Sequence, residues 1–136
     1  MSNFSIAKDF FEACETGQGW AACAAYCTEG ATFACQADAL ADTTRLSDYA
    51  EWMKGLLTPV PDGHYELTAF AYDEERQTAI ASAVFHGTNS VDGPVPATGQ
   101  TVASDYAYVM RFESDKIVHM TKIWNDAQAL RALGWG

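Results

Sequence analysis

The chain has 136 residues, of which 49% are hydrophobic and 19% charged, a composition typical of one globular domain. Acidic residues outnumber basic ones by 18 to 8, giving a formal net charge of -10, which argues against nucleic acid and anionic membranes as partners. The first residues lack the order of basic, apolar and small residues found in a secretory signal. We therefore expect a single domain over residues 1–136, located in the cytoplasm.

The cysteines and histidines do not have the spacing of a metal site. The three histidines fall on separate predicted strands, and no second cysteine pair accompanies Cys23 and Cys27. These two could share a helix face and contact a metal or ligand, but small buried thiols are the more common outcome in the cytosol. We expect neither a metal nor an organic cofactor.

Hydrophobic spacing predicts three helices in the first half of the chain. Apolar residues recur at helical intervals over 3–15, over a short segment from Trp20 to Cys27, and over 46–57. Pro59 and the turn residues after it end the third helix. A brief strand, 32–36, is predicted between the second and third helices.

The second half of the chain changes to a period of two, which predicts β-strands. The candidate strands are 64–72, 78–88, 101–112 and 116–124, and their short polar connections predict an antiparallel meander. Residues 89–100 form the one long loop, suited to the rim of a cavity. A last helix is predicted over 126–133. Helices followed by such a sheet define an α+β fold.

The predicted strands are apolar on both faces. In the third of them, Tyr106, Tyr108 and Met110 alternate with Ala107 and Val109. Helices at the start of the chain can cover one face of the sheet, which leaves the other to be covered by a second copy. The sequence therefore predicts a homodimer.

The end of the chain resembles a known family. Residues 116–126, KIVHMTKIWND, followed by LRALG at 130–134, are similar to the closing pattern of the SnoaL-like polyketide cyclases in the nuclear transport factor 2-like (NTF2-like) superfamily. The resemblance implies a cone-shaped α+β fold, with three N-terminal helices packed on a curved antiparallel sheet that encloses a pocket for a small organic ligand. The segments WMKGLLTP, 52–59, and HMTKIWND, 119–126, also resemble a bacterial group of this superfamily.

The resemblance does not transfer the cyclase residues unchanged. Those cyclases have an acid/base Asp six positions after the Lys of their G-K-I motif, and that position is Lys122 here. A His on their neighbouring strand corresponds to Tyr108. Neither an amine nor a phenol replaces that Asp without other changes, so a cyclase-type aldol mechanism is not implied directly.

Lys122 is the main catalytic candidate. If Phe112 pairs with Lys116, then Tyr106 lies opposite Lys122 on a face of aromatic and thioether side chains that also includes Val118. Burial there would lower the pKa of the amine and provide a nucleophile or base. The alternative is a structural ion pair with Asp105 or Asp126, or an ammonium that reaches the rim.

Asp105 and Tyr108 complete the candidate catalytic set, because Asp105 could orient Lys122 or act as a base itself. A pocket walled by aromatic residues is expected beside them. The expected pocket-lining residues are Trp20, Tyr26, Phe33, Trp52, Phe85, Tyr106, Met110, Met120 and Trp124. Two functions remain open at this point: a cofactor-independent lyase, isomerase or cyclase acting on a small apolar carbonyl compound, or a non-catalytic ligand-binding or dimerisation module.

Overall fold

A computed structural model describes residues 2–135, which form four α-helices and a five-stranded sheet. The elements in chain order are α1 (Asn3–Glu15), α2 (Trp20–Cys23), β1 (Cys27–Cys35), α3 (Leu46–Leu56), β2 (His64–Asp73), β3 (Thr78–Thr88), β4 (Thr101–Glu113), β5 (Lys116–Trp124) and α4 (Asp126–Leu133). The predicted α+β class is confirmed. The second helix is shorter than predicted, because a 3₁₀ turn, Ala24–Tyr26, follows α2 and β1 begins at Cys27.

The sheet has the strand order β1-β5-β4-β3-β2. Strands β2 to β5 form the predicted antiparallel meander, but β1 pairs with β5 in parallel, so the sheet is mixed rather than wholly antiparallel. The parallel pairing requires the chain to cross over through α3 and the meander before it returns beside β1. The local pattern of β1 contains no information about this distant partner.

The inner face of the sheet packs against α1 and α3. Along β4 the even-numbered residues from Val102 to Phe112 are buried, while the odd-numbered ones are exposed or half-buried. Phe10, Phe11 and Cys14 of α1 and Tyr49 of α3 are buried in the same core. Burial of this apolar surface is the main stabilising contribution to the fold.

A register shift in the last hairpin places the site residues. The shift lies between Arg111 and Phe112, and Glu113 instead of Phe112 pairs with Lys116. Tyr108 therefore lies opposite Lys122, so the predicted pairing of Tyr106 with Lys122 is wrong by two residues. Bulges of this kind add a residue to one strand and cannot be read from alternation alone.

The same irregularity changes which residues of β5 face the core. Ile117 and Met120 are both buried, and Val118 between them is only half-buried. The predicted placement of Val118 on the inner face is therefore wrong. From Met120 onwards the alternation is regular, which brings Met120 and Lys122 to the inner face.

Asn89 organises the long loop between β3 and β4. Its side chain is buried, and its amide donates to the carbonyls of Pro59 and Val91 at 3.0 and 2.8 Å. Its Oδ1 accepts hydrogen bonds from the backbone N–H of Thr98 and from the Trp135 indole, at 3.0 and 2.9 Å. One side chain thus ties the loop to the end of α3 and to the end of the chain.

Candidate active site

An inner pocket of about 50 Å³ lies between the sheet, α3 and α4. Most of its walls are apolar, and Glu15, Lys122, Ser104 and the hydroxyl of Tyr106 are its polar groups. The lining residues are Glu15, Trp52, Met53, Leu56, Phe85, Val102, Ser104, Tyr106, Lys122, Trp124, Ala129, Leu130, Leu133 and Trp135. A few polar groups in an apolar cavity are typical of small-molecule sites.

Glu15 is a carboxylate buried at the end of α1, with 2% of its surface exposed. The hydroxyl of Tyr106 donates a hydrogen bond to one of its oxygens, and the hydroxyl of Tyr108 donates to the other. Burial raises the pKa of this carboxyl above its ordinary value, while the charge of Lys122 and the two hydroxyls oppose the increase. A buried carboxyl of this kind is suited to proton transfer.

Lys122 is the matching buried cation, with 6% of its surface exposed. Its Nζ lies 4.3 Å from the ring centroid of Trp124 and 5.1 to 5.3 Å from those of Tyr49, Trp52 and Tyr106. Burial lowers the pKa of the ammonium below its ordinary value, and the negative charge of Glu15 opposes this decrease. The aromatic faces stabilise the charged form in place of water.

Tyrosine hydroxyls connect the two charged groups. Lys122 donates to the Tyr49 hydroxyl at 3.1 Å, and the hydroxyls of Tyr49 and Tyr108 lie 2.6 Å apart. Because the Tyr108 hydroxyl donates to Glu15, its oxygen can accept from Tyr49, and every bond then points towards the carboxylate. Burial raises the pKa of Tyr49 and of Tyr108, which keeps both phenols protonated as donors.

Several of the predicted site residues lie together at this pocket. Lys122, Tyr106, Trp52, Phe85 and Trp124 all line it. Tyr108 is fully buried behind the pocket wall and contacts the site through its hydrogen bonds.

Asp105 does not join this group. It is exposed on the opposite face of β4, where it pairs with Val84 of the neighbouring strand. The expectation that Asp105 orients Lys122 is therefore wrong, because adjacent residues of a strand point to opposite faces. Asp126, the other proposed ionic partner, accepts a hydrogen bond from the backbone N–H of Ala39 at 2.8 Å.

Five of the aromatic and methionine residues expected at the pocket belong to the surrounding core instead. Phe33 stacks on Tyr49 with ring centroids 4.5 Å apart. This contact restricts the orientation of the Tyr49 ring, whose hydroxyl belongs to the hydrogen-bond network. The five residues that do not line the inner pocket are Trp20, Tyr26, Phe33, Met110 and Met120.

Glu15, Tyr49 and the α4 wall were not identified from the sequence. Glu15 had a detectable signal, since it follows Phe11 by four positions and therefore lies on the apolar stripe of α1. A carboxylate on a buried helix face requires a partner. Tyr49 gave no such signal, because tyrosine is common in helix cores.

The histidines do not line this pocket, whereas the buried thiol of Cys14 lies 3.9 Å from the Tyr108 hydroxyl and so contacts the hydrogen-bond network. His86 contacts Glu66 at 3.0 Å and stacks on His64 near the surface. His119 lies on the outer face of the sheet and contacts Thr32 at 2.7 Å. The four cysteines are buried free thiols.

Within residues 2–135, no group of three or more His, Cys, Asp and Glu side chains is arranged to hold a metal ion. None of the helices in the same range is long and apolar enough to cross a membrane.

Residues 7–120 match the SnoaL-like domain model, and the chain therefore belongs to the SnoaL-like domain family. No curated protein matches its sequence. The fold is shared with NTF2-like proteins of known structure, which confirms the resemblance predicted from the closing motif. These matches have low sequence identity and show the fold alone.

Three solved structures illustrate this similarity. IdmH of Streptomyces antibioticus, a proposed polyketide cyclase, is 17% identical with a TM-score of 0.78, and the match covers 98% of this chain and 99% of IdmH. An NTF2-like protein of Burkholderia thailandensis is 21% identical, with a TM-score of 0.75 and 97% of each chain covered. AclR of Streptomyces galilaeus, a proposed hydroxylase, is 17% identical with a TM-score of 0.78, and the match covers 98% of this chain and 85% of AclR.

Proposed function

We propose that the protein is a cofactor-independent enzyme of lyase, isomerase or cyclase type that acts on a small, largely apolar carbonyl compound. One observation supports this most strongly: a buried carboxylate and a buried ammonium line the same apolar pocket and are joined through tyrosine hydroxyls. All three reaction types can begin with removal of a proton from the carbon next to a carbonyl group.

In the proposed reaction, Glu15 is the base and Lys122 the acid. The carboxylate takes the proton from the α-carbon, the C–H electron pair forms the enolate double bond, and the carbonyl π-electrons move to oxygen. The ammonium of Lys122 stabilises this oxyanion by a hydrogen bond and by its charge. Glu15 then returns the proton to a carbon atom. The pKa of Glu15 is raised and the pKa of Lys122 is lowered, so both values move towards neutral pH. A general acid or base is most effective when its pKa lies near the working pH.

The rival function is a non-catalytic binding module. It is favoured by the complete pairing of the network, since no buried side-chain nitrogen or oxygen among the described residues lacks a hydrogen-bond partner. A structural charge pair would show the same completeness. The two functions differ in whether a bound ketone exchanges its α-protons.

Deuterium incorporation into 2-butanone tests the proposed function. In D₂O near neutral pH, the wild-type protein is expected to exchange the α-protons, as followed by proton NMR. Glu15→Gln should reduce the protein-dependent rate about 100-fold, the usual contribution of a general base. The matched control is Glu12→Gln, because Glu12 is an exposed carboxylate on the same helix. Absence of exchange in the wild type, or equal rates in wild type and Glu15→Gln, would refute the proposal.

We also propose that the protein is a cytoplasmic homodimer. Its four buried cysteines remain free thiols, as is usual in a reducing compartment. On the outer face of the sheet, Ile80 pairs with Val109 and Ala107 pairs with Ile123, while the side chains of Ile80 and Ile123 are 44% and 61% exposed. An apolar sheet face of this kind is suited to a second copy of the chain.

Light scattering at micromolar concentration tests the homodimer. The expected mass is about twice 14.8 kDa, and Ile123→Glu should shift it towards the monomer, because the substitution places a charge in the interface. Val91→Glu is the control, since Val91 is 45% exposed but lies in the loop after β3. A monomeric wild-type protein would contradict the prediction.

A further inference from the structure

Ser104 places a buried hydroxyl in the wall of the inner pocket. It lies on the inner face of β4, lines the pocket and has only 3% of its surface exposed. The indole N–H of Trp124 donates a hydrogen bond to its Oγ at 2.9 Å. This bond occupies one lone pair of the hydroxyl oxygen and does not use the hydroxyl proton.

The proton of this hydroxyl is left without an acceptor. A serine hydroxyl has one proton to donate and two lone pairs that accept. Within residues 2–135, the bond received from Trp124 is the one hydrogen bond that Oγ of Ser104 makes. The oxygen therefore has a partner, but its proton does not. A buried donor without an acceptor costs free energy, which a ligand with an acceptor atom would recover.

Lys122 has similar unused capacity. An ammonium carries three N–H donors, and in the described part of the chain Nζ of Lys122 makes a single hydrogen bond, to the hydroxyl of Tyr49. Aromatic rings surround the ammonium and stabilise its charge, but they provide no oxygen or nitrogen acceptor for the other N–H groups. Lys122 can therefore donate to a ligand without losing its bond to Tyr49.

Trp124 contacts both of these donor groups. Nζ of Lys122 lies 4.3 Å from its ring centroid, and Oγ of Ser104 accepts from its N–H. The pocket volume of about 50 Å³ corresponds to about four water-sized groups, since each needs roughly 10 to 15 Å³. Two acceptor atoms that reach the two donors must therefore be separated by only a few bonds.

From these observations we infer that Ser104 is a specificity-determining residue, which donates its free proton to a second oxygen of a ligand whose carbonyl group faces Lys122. The inner pocket then selects ketones with an oxygen atom close to the carbonyl over hydrocarbon ketones of the same size. This inference rests on the proposed function for the position of the carbonyl. A second anchor also restricts the rotation of the ligand and so orients its α-carbon towards Glu15.

The test compares methoxyacetone with 2-pentanone, two ketones of equal chain length in which an ether oxygen replaces a methylene group. Their dissociation constants are measured by NMR titration of the Trp52 indole signal. We define the selectivity as the dissociation constant of 2-pentanone divided by that of methoxyacetone. Ser104→Ala should lower this selectivity about fivefold, the usual effect of one hydrogen bond. Ser82→Ala should leave it within twofold of wild type, because Ser82 lies on the neighbouring strand and does not line the pocket.

A second pair of variants separates the free proton of Ser104 from its contact with Trp124. Trp124→Phe has no indole N–H, so adding Ser104→Ala to it removes the serine donor without leaving an indole N–H unpaired. We expect the same fivefold fall in selectivity between Trp124→Phe and the double variant. A fall that occurs only when Trp124 is present would show that Ser104 acts by positioning the indole, and would overturn the inference.

Unchanged selectivity in Ser104→Ala, or no binding of either ketone to the wild-type protein, would also overturn it. The titration measures binding alone and is therefore independent of the exchange of α-protons. Reduced selectivity in Ser104→Ala together with no exchange in the wild type would support the contact with Ser104 and contradict the proposed function. Unchanged selectivity together with normal exchange would overturn this inference and leave the proposed function intact.

Discussion

Replacing Lys122 with methionine is expected to lower the free energy of unfolding by about 3 kcal/mol at pH 8, because it leaves the Glu15 carboxylate buried without its counter-charge. Methionine is similar in length and apolar, so the variant tests the charge more than the packing. Urea unfolding at one protein concentration measures the effect. The double variant that combines Glu15→Gln with Lys122→Met should lose much less stability than Lys122→Met alone, because neither buried charge then remains.

The loss of unfolding free energy in Lys122→Met, called its deficit below, should also depend on pH. Without the ammonium, the pKa of Glu15 rises further above its ordinary value, because the charge that opposed the effect of burial is gone. A group whose pKa is raised in the folded state stabilises the fold at low pH and loses this contribution as the pH rises through the raised pKa. We therefore expect a smaller deficit at pH 5 than at pH 8. An equal deficit at both pH values would contradict the coupling between the two groups.

Most of the elements could be predicted from the sequence because their patterns are local. The helical spacing in α1 and α3 and the alternation in β4 are fixed by which side chains must be buried, and the predicted boundaries of α1, α3 and β2 to β5 agree closely with the structure. The parallel pairing of β1 with β5 could not be predicted in this way. It depends on the path of the chain over more than eighty residues.

The candidate site was predictable only in part, for the same reason. Strand parity places Tyr106, Lys122 and Trp124 on one face, and this holds in the structure despite the shifted register. The partners of Lys122 come from helices, and no local pattern indicates that Glu15 and Tyr49 reach the same strand face. Asp105 was preferred because it is close in sequence to Tyr106, but alternation along β4 turns it outwards.

The four lysines are expected to differ strongly in reactivity towards small aldehydes. Burial lowers the pKa of Lys122, which increases its neutral fraction near pH 7, and only the neutral amine attacks a carbonyl. Each unit by which a pKa lies lower increases the neutral fraction about tenfold while the amine is mainly protonated. Lys8, Lys54 and Lys116 are exposed side chains. Glu15→Gln should increase the labelling of Lys122, because the carboxylate that raises its pKa is removed.

Reductive trapping with acetaldehyde and sodium cyanoborohydride, followed by peptide mapping, tests most directly whether the inner pocket presents a reactive amine to small carbonyl compounds. The predicted result is labelling of Lys122 at least tenfold above each of Lys8, Lys54 and Lys116, with no change at the other three lysines in Lys122→Met. Labelling spread evenly over all four lysines, or confined to the three exposed ones, would contradict the proposed site.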